Sequence, residues 1–230
     1  VSLLPVTWVQ DWPIPGEVLP QNIGTMKWDG KIPFKHTEKL SIKRSDDFDE
    51  DCLAPQWQWN YQPRKDYFSL TERPGWLRLK AYRPLETNNL LKAGNTLTQR
   101  TFRKQNNDVT IKMDISNMQD GQKNGLCHFS SQHSAIGIVK EEDACYLEYR
   151  KNGNITKGIQ IHSEFVWFRT EWGMDGKSQY YYSLDGDNFL PFGEKYQLTW
   201  GNYRGDRIGI YCFNDKKETG SVDVDYCHYR

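Results

Sequence analysis

From Asp46 to the C-terminus, hydrophobic and polar residues alternate with period two, and turn residues break the alternation at short intervals. Val109, Ile111, Met113 and Ile115 are separated by Thr110, Lys112 and Asp114, which gives an extended strand one apolar and one polar face. The same reading predicts strands over residues 126–129, 135–139, 145–149, 155–161, 165–169, 179–184, 208–213 and 222–226. Asp120-Gly121, Asn152-Gly153, Asp175-Gly176 and Asp185-Gly186 lie at or near the ends of these runs and supply residues that accept the positive φ of tight turns. No stretch holds a helical period for three turns. The pattern therefore predicts an all-β fold, a two-sheet antiparallel β-sandwich over residues 46–230.

Residues 1–45 have a different texture. Pro5, Pro13, Pro15, Pro20 and Pro33, with Gly16, Gly24 and Gly30, interrupt every candidate element and forbid a long helix or a central strand. This part reads as a linker or wrapping segment, and Val1 begins in mid-pattern, as expected of a chain cut from a longer polypeptide. Lys plus Arg equals Asp plus Glu at 30 each, so no long-range field collects nucleic acid or an anionic membrane surface. No run approaches the roughly 18 apolar residues of a membrane helix. The partner expected is neutral. Five cysteines form no C-x-x-C pair and no cluster with histidine, which argues against zinc. Cys127, Cys145 and Cys212 lie in apolar runs and read as buried thiols, with a disulfide pair left open.

Aromatic residues form 14% of a chain that is only 37% hydrophobic, so rings carry an unusual share of its apolar surface. They concentrate in Gln56-Trp57-Gln58-Trp59-Asn60-Tyr61, followed by Ser69-Leu70-Thr71-Glu72-Arg73-Pro74-Gly75-Trp76-Leu77-Arg78-Leu79. Tyr182-Ser183-Leu184-Asp185-Gly186, Leu198-Thr199-Trp200-Gly201, Arg207-Ile208-Gly209-Ile210-Tyr211 and Val222-Asp223-Val224-Asp225-Tyr226 follow in order. This succession resembles the C-terminal sandwich of glycoside hydrolase family 43 enzymes of the β-xylosidase and arabinofuranosidase type, also classed as carbohydrate-binding module family 91. The resemblance implies a jelly roll of the concanavalin A type and an accessory role toward xylan or arabinoxylan, binding polysaccharide weakly, completing the active-site mouth of the catalytic propeller, or both. Leu3-Leu4-Pro5-Val6-Thr7-Trp8-Val9 with Trp12-Pro13 resembles the last strand and exit of that family's catalytic β-propeller. The family's catalytic carboxylates lie in the propeller, so the resemblance implies no catalysis by this chain, and it favours a secreted or periplasmic bacterial protein. The alternative is a free-standing lectin-like binder or a sandwich hydrolase of another family.

The residues agree with a non-catalytic reading. Sandwich hydrolases present two carboxylates on one strand facing a groove; Asp223 and Asp225 alternate, but on the closing strand, and Glu141-Glu142-Asp143 is consecutive. No G-x-S-x-G occurs, and the five histidines are scattered. Sugar binding needs flat rings beside fixed polar groups, which makes Trp57, Trp59, Asn60, Tyr61, Tyr67, Phe129 and Trp172 the candidate carbohydrate contacts. On an extended strand, Trp57, Trp59 and Tyr61 share one face and Gln58 and Asn60 the other. Structural rings filling the core are the alternative for each. No cofactor is required. Asp46, Asp47, Asp49, Glu50 and Asp51 crowd the start of the sandwich, and first and last strands often meet, so Asp47, Asp49, Asp223 and Asp225 are candidate ligands for a structural calcium ion. A solvated acidic turn is the alternative.

Overall fold

The computed structural model of the chain describes residues 3–31, 43–201 and 204–230, in two compact units, Val1–Ile42 and Lys43–Arg230. The stretch 32–42 of the expected wrapping segment, with Pro33, lies outside the described residues. In the first unit, β1 (Val6–Val9) pairs with β2 (Trp12–Pro15) through a turn in which Gln10 and Asp11 both have positive φ. Pro13 and Pro15 are tolerated because a two-stranded ribbon leaves one side of each strand without a ladder. A second ribbon joins β3 (Val18–Leu19) to β4 (Ile23–Gly24).

The second unit is the sandwich. Its strands are β5 (Gln58–Trp59), β6 (Phe68–Ser69), β7 (Leu77–Lys80), β8 (Thr96–Arg100), β9 (Asn107–Asp114), β10 (Gln122–Phe129), β11 (His133–Glu141), β12 (Ala144–Lys151), β13 (Asn154–Ile161), β14 (Phe165–Trp172), β15 (Lys177–Ser183), β16 (Leu190–Pro191), β17 (Tyr196–Gln197), β18 (Arg207–Asn214) and β19 (Ser221–Tyr229). A seven-stranded sheet runs β13-β12-β11-β10-β18-β8-β5, and an eight-stranded sheet runs β16-β15-β14-β9-β19-β7-β6, with β17 on β15. The predicted alternation is what buries one face of each: Val109, Ile111 and Met113 meet Leu126, Ile136, Phe168, Ile210 and Val224 in one core between the sheets. Asn152 and Gly153, both at positive φ, close the turn between β12 and β13. Among the described residues no helix is long and apolar enough to cross a membrane.

Two departures from the sequence expectation are local. β8 reads polar in both phases, yet Thr96, Thr98 and Gln99 are buried. Their polar atoms are satisfied in place: Thr98 Oγ1 donates to the Gln58 carbonyl at 2.9 Å and Gln99 Nε2 to the Arg44 carbonyl at 3.0 Å. The strand expected over residues 57–61 shrinks to Gln58–Trp59.

The outer face of the seven-stranded sheet carries a second, smaller apolar cluster. Here Leu90 and Ala93 close over Cys127, Phe129, Ala135, Tyr211 and Phe213. Cys127, Ala135 and Tyr211 each lie one residue from core-facing Leu126, Ile136 and Ile210, so the strand pleat sends them to the opposite side. All five cysteines are free thiols, and burial pushes those of Cys127 and Cys212 up to about 12. Both behave as small hydrophobes.

Candidate functional site

The free end of that outer face forms the site. Phe129 on β10 is the cross-strand partner of Arg207 on β18, and Arg207 is the partner of Arg100 on β8. Two residues along β8, and therefore on the same face, Thr98 pairs with Gln58 of β5. The Arg207 guanidinium lies over the Phe129 ring at 4.6 Å and donates to Thr98 Oγ1 at 3.1 Å. Arg204 reaches in from the loop before β18 and donates to the Trp59 carbonyl at 3.3 Å.

Two adjoining cavities share Arg204 and Arg207. One, of about 430 Å³, is lined by Gln56, Gln58, Trp59, Arg100 and the two shared arginines. The other, of about 490 Å³, adds Asn60, Tyr61, Leu91, Lys92, Phe129, Ser130, Ser131, Gly201 and Gly205. Both volumes fall in the range of small-ligand sites. The amide nitrogen of Asn60 is held by the carbonyls of Leu91 and Ala93, each at 3.0 Å, which fixes the wall from which Tyr61 projects. A larger depression of about 800 Å³ opens at the edge of the eight-stranded sheet, where Asp108, Glu171, Asp175, Lys177 and Lys195 mix charges of both signs.

Of the residues singled out in the sequence, the structure brings Trp59, Asn60, Tyr61 and Phe129 to the walls of these cavities and places the others elsewhere, but Trp59 packs against the core with its ring 4.7 Å from Phe68, and Phe129 is buried beneath Arg207, so only Tyr61 keeps an exposed ring there. Trp57 is a core ring, stacked 5.9 Å from Phe48 with its Nε1 donating to Asp46 Oδ2 at 2.7 Å. Trp172 is also core, its Nε1 donating to the Phe102 carbonyl at 2.8 Å and its ring meeting His128 edge-on at 5.3 Å. Protein covers both rings. Tyr67 lies under the Arg64 guanidinium at 4.0 Å and donates to Glu218 Oε2 at 2.9 Å, on a separate depression. Gln58, Arg100, Arg204 and Arg207 escaped sequence reading because they come from three segments that only sheet register unites. The sequence signal was there in part, since Gln58 alternates with Trp57 and Trp59 and so had to face away from the core.

The acidic residues are spent on cations. Asp114 and Asp223 are cross-strand partners, and Arg73 Nη1 bridges them at 2.7 and 2.9 Å. Arg78 adds two bonds to Asp223, at 2.7 and 2.8 Å. Burial alone would push the Asp114 carboxyl up, but hydrogen bonds from Ser116 and the Arg73 guanidinium outweigh it and hold the group below its ordinary value. A proton-donating carboxyl needs the opposite shift. Lys112 takes Asp225 at 2.7 Å, and His228 meets Asp47 at 2.7 Å. The start of the sandwich does reach the last strand, through the bridge Asp46 to Cys227. Yet among the described residues no three His, Cys, Asp or Glu side chains assemble to hold a metal ion, so the four carboxylates expected to ligate calcium do not form one set.

Comparison with known proteins identifies the fold that carries these cavities. The family model described as the β-xylosidase C-terminal concanavalin A-like domain matches residues 45–230. A β-xylosidase of Formosa agariphila is 35% identical over 99% of this chain, and the chain spans 42% of that relative's length. A solved structure of a bifunctional GH43-CE protein from Bacteroides eggerthii matches with a TM-score of 0.75 at 28% identity, covering 100% of this chain and 30% of that one. A GH43 protein structure from Bacillus licheniformis shares the fold, with a TM-score of 0.72 at 23% identity over 98% of this chain and 46% of its own.

Proposed function

Because the chain belongs to the family of β-xylosidase C-terminal concanavalin A-like domains, we propose that it is the non-catalytic accessory sandwich of a glycoside hydrolase family 43 enzyme acting on xylan or arabinoxylan. In this reading it holds polysaccharide weakly at the outer face of its seven-stranded sheet. One observation carries it: the exposed ring of Tyr61 shares a cavity with Asn60, Ser130 and Ser131, above the buried Phe129 that Arg207 covers, so a flat ring stands beside fixed polar groups in one concavity. The match to the Formosa β-xylosidase runs over nearly the whole chain, which supports reading residues 1–45 as the exit from an upstream catalytic propeller. A shallow site desolvates few groups and must offset the ordering of a flexible chain, so affinity is modest.

Retention on insoluble arabinoxylan, measured beside thermal stability, tests the reading. Tyr61 is 40% exposed, and Tyr61→Ala should cut retention while changing stability by less than about 0.5 kcal/mol. Trp57→Ala and Trp172→Ala should each cost about 3–5 kcal/mol of stability. If Tyr61→Ala retains arabinoxylan like the parent chain, the sandwich braces its propeller rather than holding polysaccharide. Turnover of aryl-xylosides or arabinosides by the pure chain, abolished by changing one of its acidic residues, would overturn the non-catalytic assignment.

A further inference from the structure

The motif Leu198-Thr199-Trp200-Gly201 sends its first residue into the core and its third into water: Leu198 is 4% exposed and Trp200 78%. No other large apolar side chain among the described residues is as exposed. A lone exposed ring is ordinary, but this one is held in a fixed place beside another. Before the indole, Thr199 Oγ1 lies 2.8 Å from Ser130 Oγ. Gly201 is pressed so closely on the β10–β11 turn that a Cβ there would lie 2.4 Å from the Ser131 amide nitrogen. After the indole, the Asp206 carbonyl accepts from the Thr101 amide at 3.2 Å and the Asp206 carboxylate pairs with Arg103 at 2.9 Å. The ring itself lies against Gly205, where a Cβ would be 3.4 Å from its six-membered half. Gly201 and Gly205 both line the cavity that Tyr61 shares with Asn60, Ser130 and Ser131, so Trp200 stands at the rim of that cavity.

From this placement we infer that Trp200 and Tyr61 are a pair of sugar-stacking rings at one cavity, and that the site takes a run of several neutral sugar units rather than a single one. The C–H face of a pyranose packs on an exposed aromatic ring while the hydroxyls at its edge take polar partners. Asn60 and the exposed Ser131 line the cavity for that second role. Neither ring has to leave the core to reach a ligand, since Trp200 and Tyr61 are both exposed already. The loop that carries Trp200 is anchored on both sides of it, so little ordering of the protein opposes binding. Two rings on separate segments serve separate sugar units, which a monosaccharide cannot supply. The inference rests on the proposal that this face holds polysaccharide, and it adds to that reading a further contact residue and the length of chain bound.

Calorimetric titration of the full 230-residue chain with xylose and with xylohexaose, repeated on Trp200→Ala and Trp12→Ala beside thermal melting, tests the pair. Xylohexaose should bind at least about tenfold more tightly than xylose, or about 1.4 kcal/mol. Trp200→Ala should weaken xylohexaose binding at least about tenfold and leave the melting midpoint where it is, as expected of an exposed side chain. Trp12, 73% exposed on β2, is the control, and Trp12→Ala should bind like the parent chain. The indole Nε1–H resonance of Trp200, identified by its absence from Trp200→Phe, should shift as xylohexaose is added. Xylohexaose binding by Trp200→Ala equal to that of the parent chain overturns the inference and leaves the polysaccharide reading standing. Absence of binding by the parent chain overturns both. Xylose binding as tightly as xylohexaose, an equal loss in Trp12→Ala, a Trp200 resonance unmoved at saturation, or a Trp200→Ala midpoint that falls with its affinity also overturns the inference.

Discussion

At the scale of single residues, the sandwich keeps its buried polar groups neutral or paired. His128 sits between the sheets with its Nε2 at 2.9 Å from Thr170 Oγ1, and burial pushes its pKa down to about 3. On the opposite face of the same sheet, burial and the nearby Arg150 guanidinium push His133 down to about 4. In the unfolded chain both titrate near their ordinary value of about 6.5. Above that pH neither state carries the proton, and burial of the neutral rings is free of an ionisation cost. As pH falls from about 6.5 toward 4, the unfolded chain binds protons that the folded chain refuses, so stability falls. Thermal melting followed across this window should show a declining midpoint, and His133→Gln should flatten part of the decline. A midpoint that stays level from neutral pH to about 4 would contradict this account of the two rings.

At the scale of elements, glycines decide where the smaller apolar cluster can form. Gly125 on β10 is opposite both Gly137 on β11 and Tyr211 on β18. A Cβ on Gly137 would lie 2.0 Å from the Asn124 carbonyl oxygen and 2.3 Å from the Tyr211 hydroxyl. The tyrosine therefore occupies space that only a missing side chain leaves open. Gly137→Ala should cost about 1–3 kcal/mol through overpacking, and a denaturation midpoint equal to that of the parent chain would refute that reading of the contact. Most strands were legible because one phase of each is apolar, as in Val109, Ile111 and Met113. β8 was not, because its buried Thr98 and Gln99 are satisfied by carbonyls from residues 58 and 44, partners that sequence distance conceals. The segment 57–61 was legible as aromatic but not as core or surface: Trp57 finds its partner in Asp46, whereas Tyr61 stays 40% exposed.

At the scale of the whole sandwich, the proposed sugar contact has two outer faces on which it could lie. The eight-stranded sheet presents Trp76, Phe165, Trp167 and Tyr226, a row that looks suited to stacking. Its rings are already engaged: the Arg73 guanidinium lies 3.8 Å over Trp76, Lys112 Nζ is 5.2 to 5.8 Å from Trp76, Phe165 and Trp167, and Trp167 Nε1 donates to the Tyr226 hydroxyl at 3.1 Å. The seven-stranded sheet offers instead two cavities in which the exposed ring of Tyr61 stands beside amides and arginines, over a Phe129 already engaged by Arg207. Half of that site was readable in the order of motifs, through Trp59, Asn60, Tyr61 and Phe129. The arginines were not, since their meeting depends on the register of β5, β8, β10 and β18. Amide chemical-shift mapping with xylohexaose decides between the faces. The account predicts that the largest shifts fall at Tyr61, Phe129, Ser131 and Gly205. Shifts clustered at Trp76, Trp167 and Tyr226, or none at saturating sugar, would contradict it.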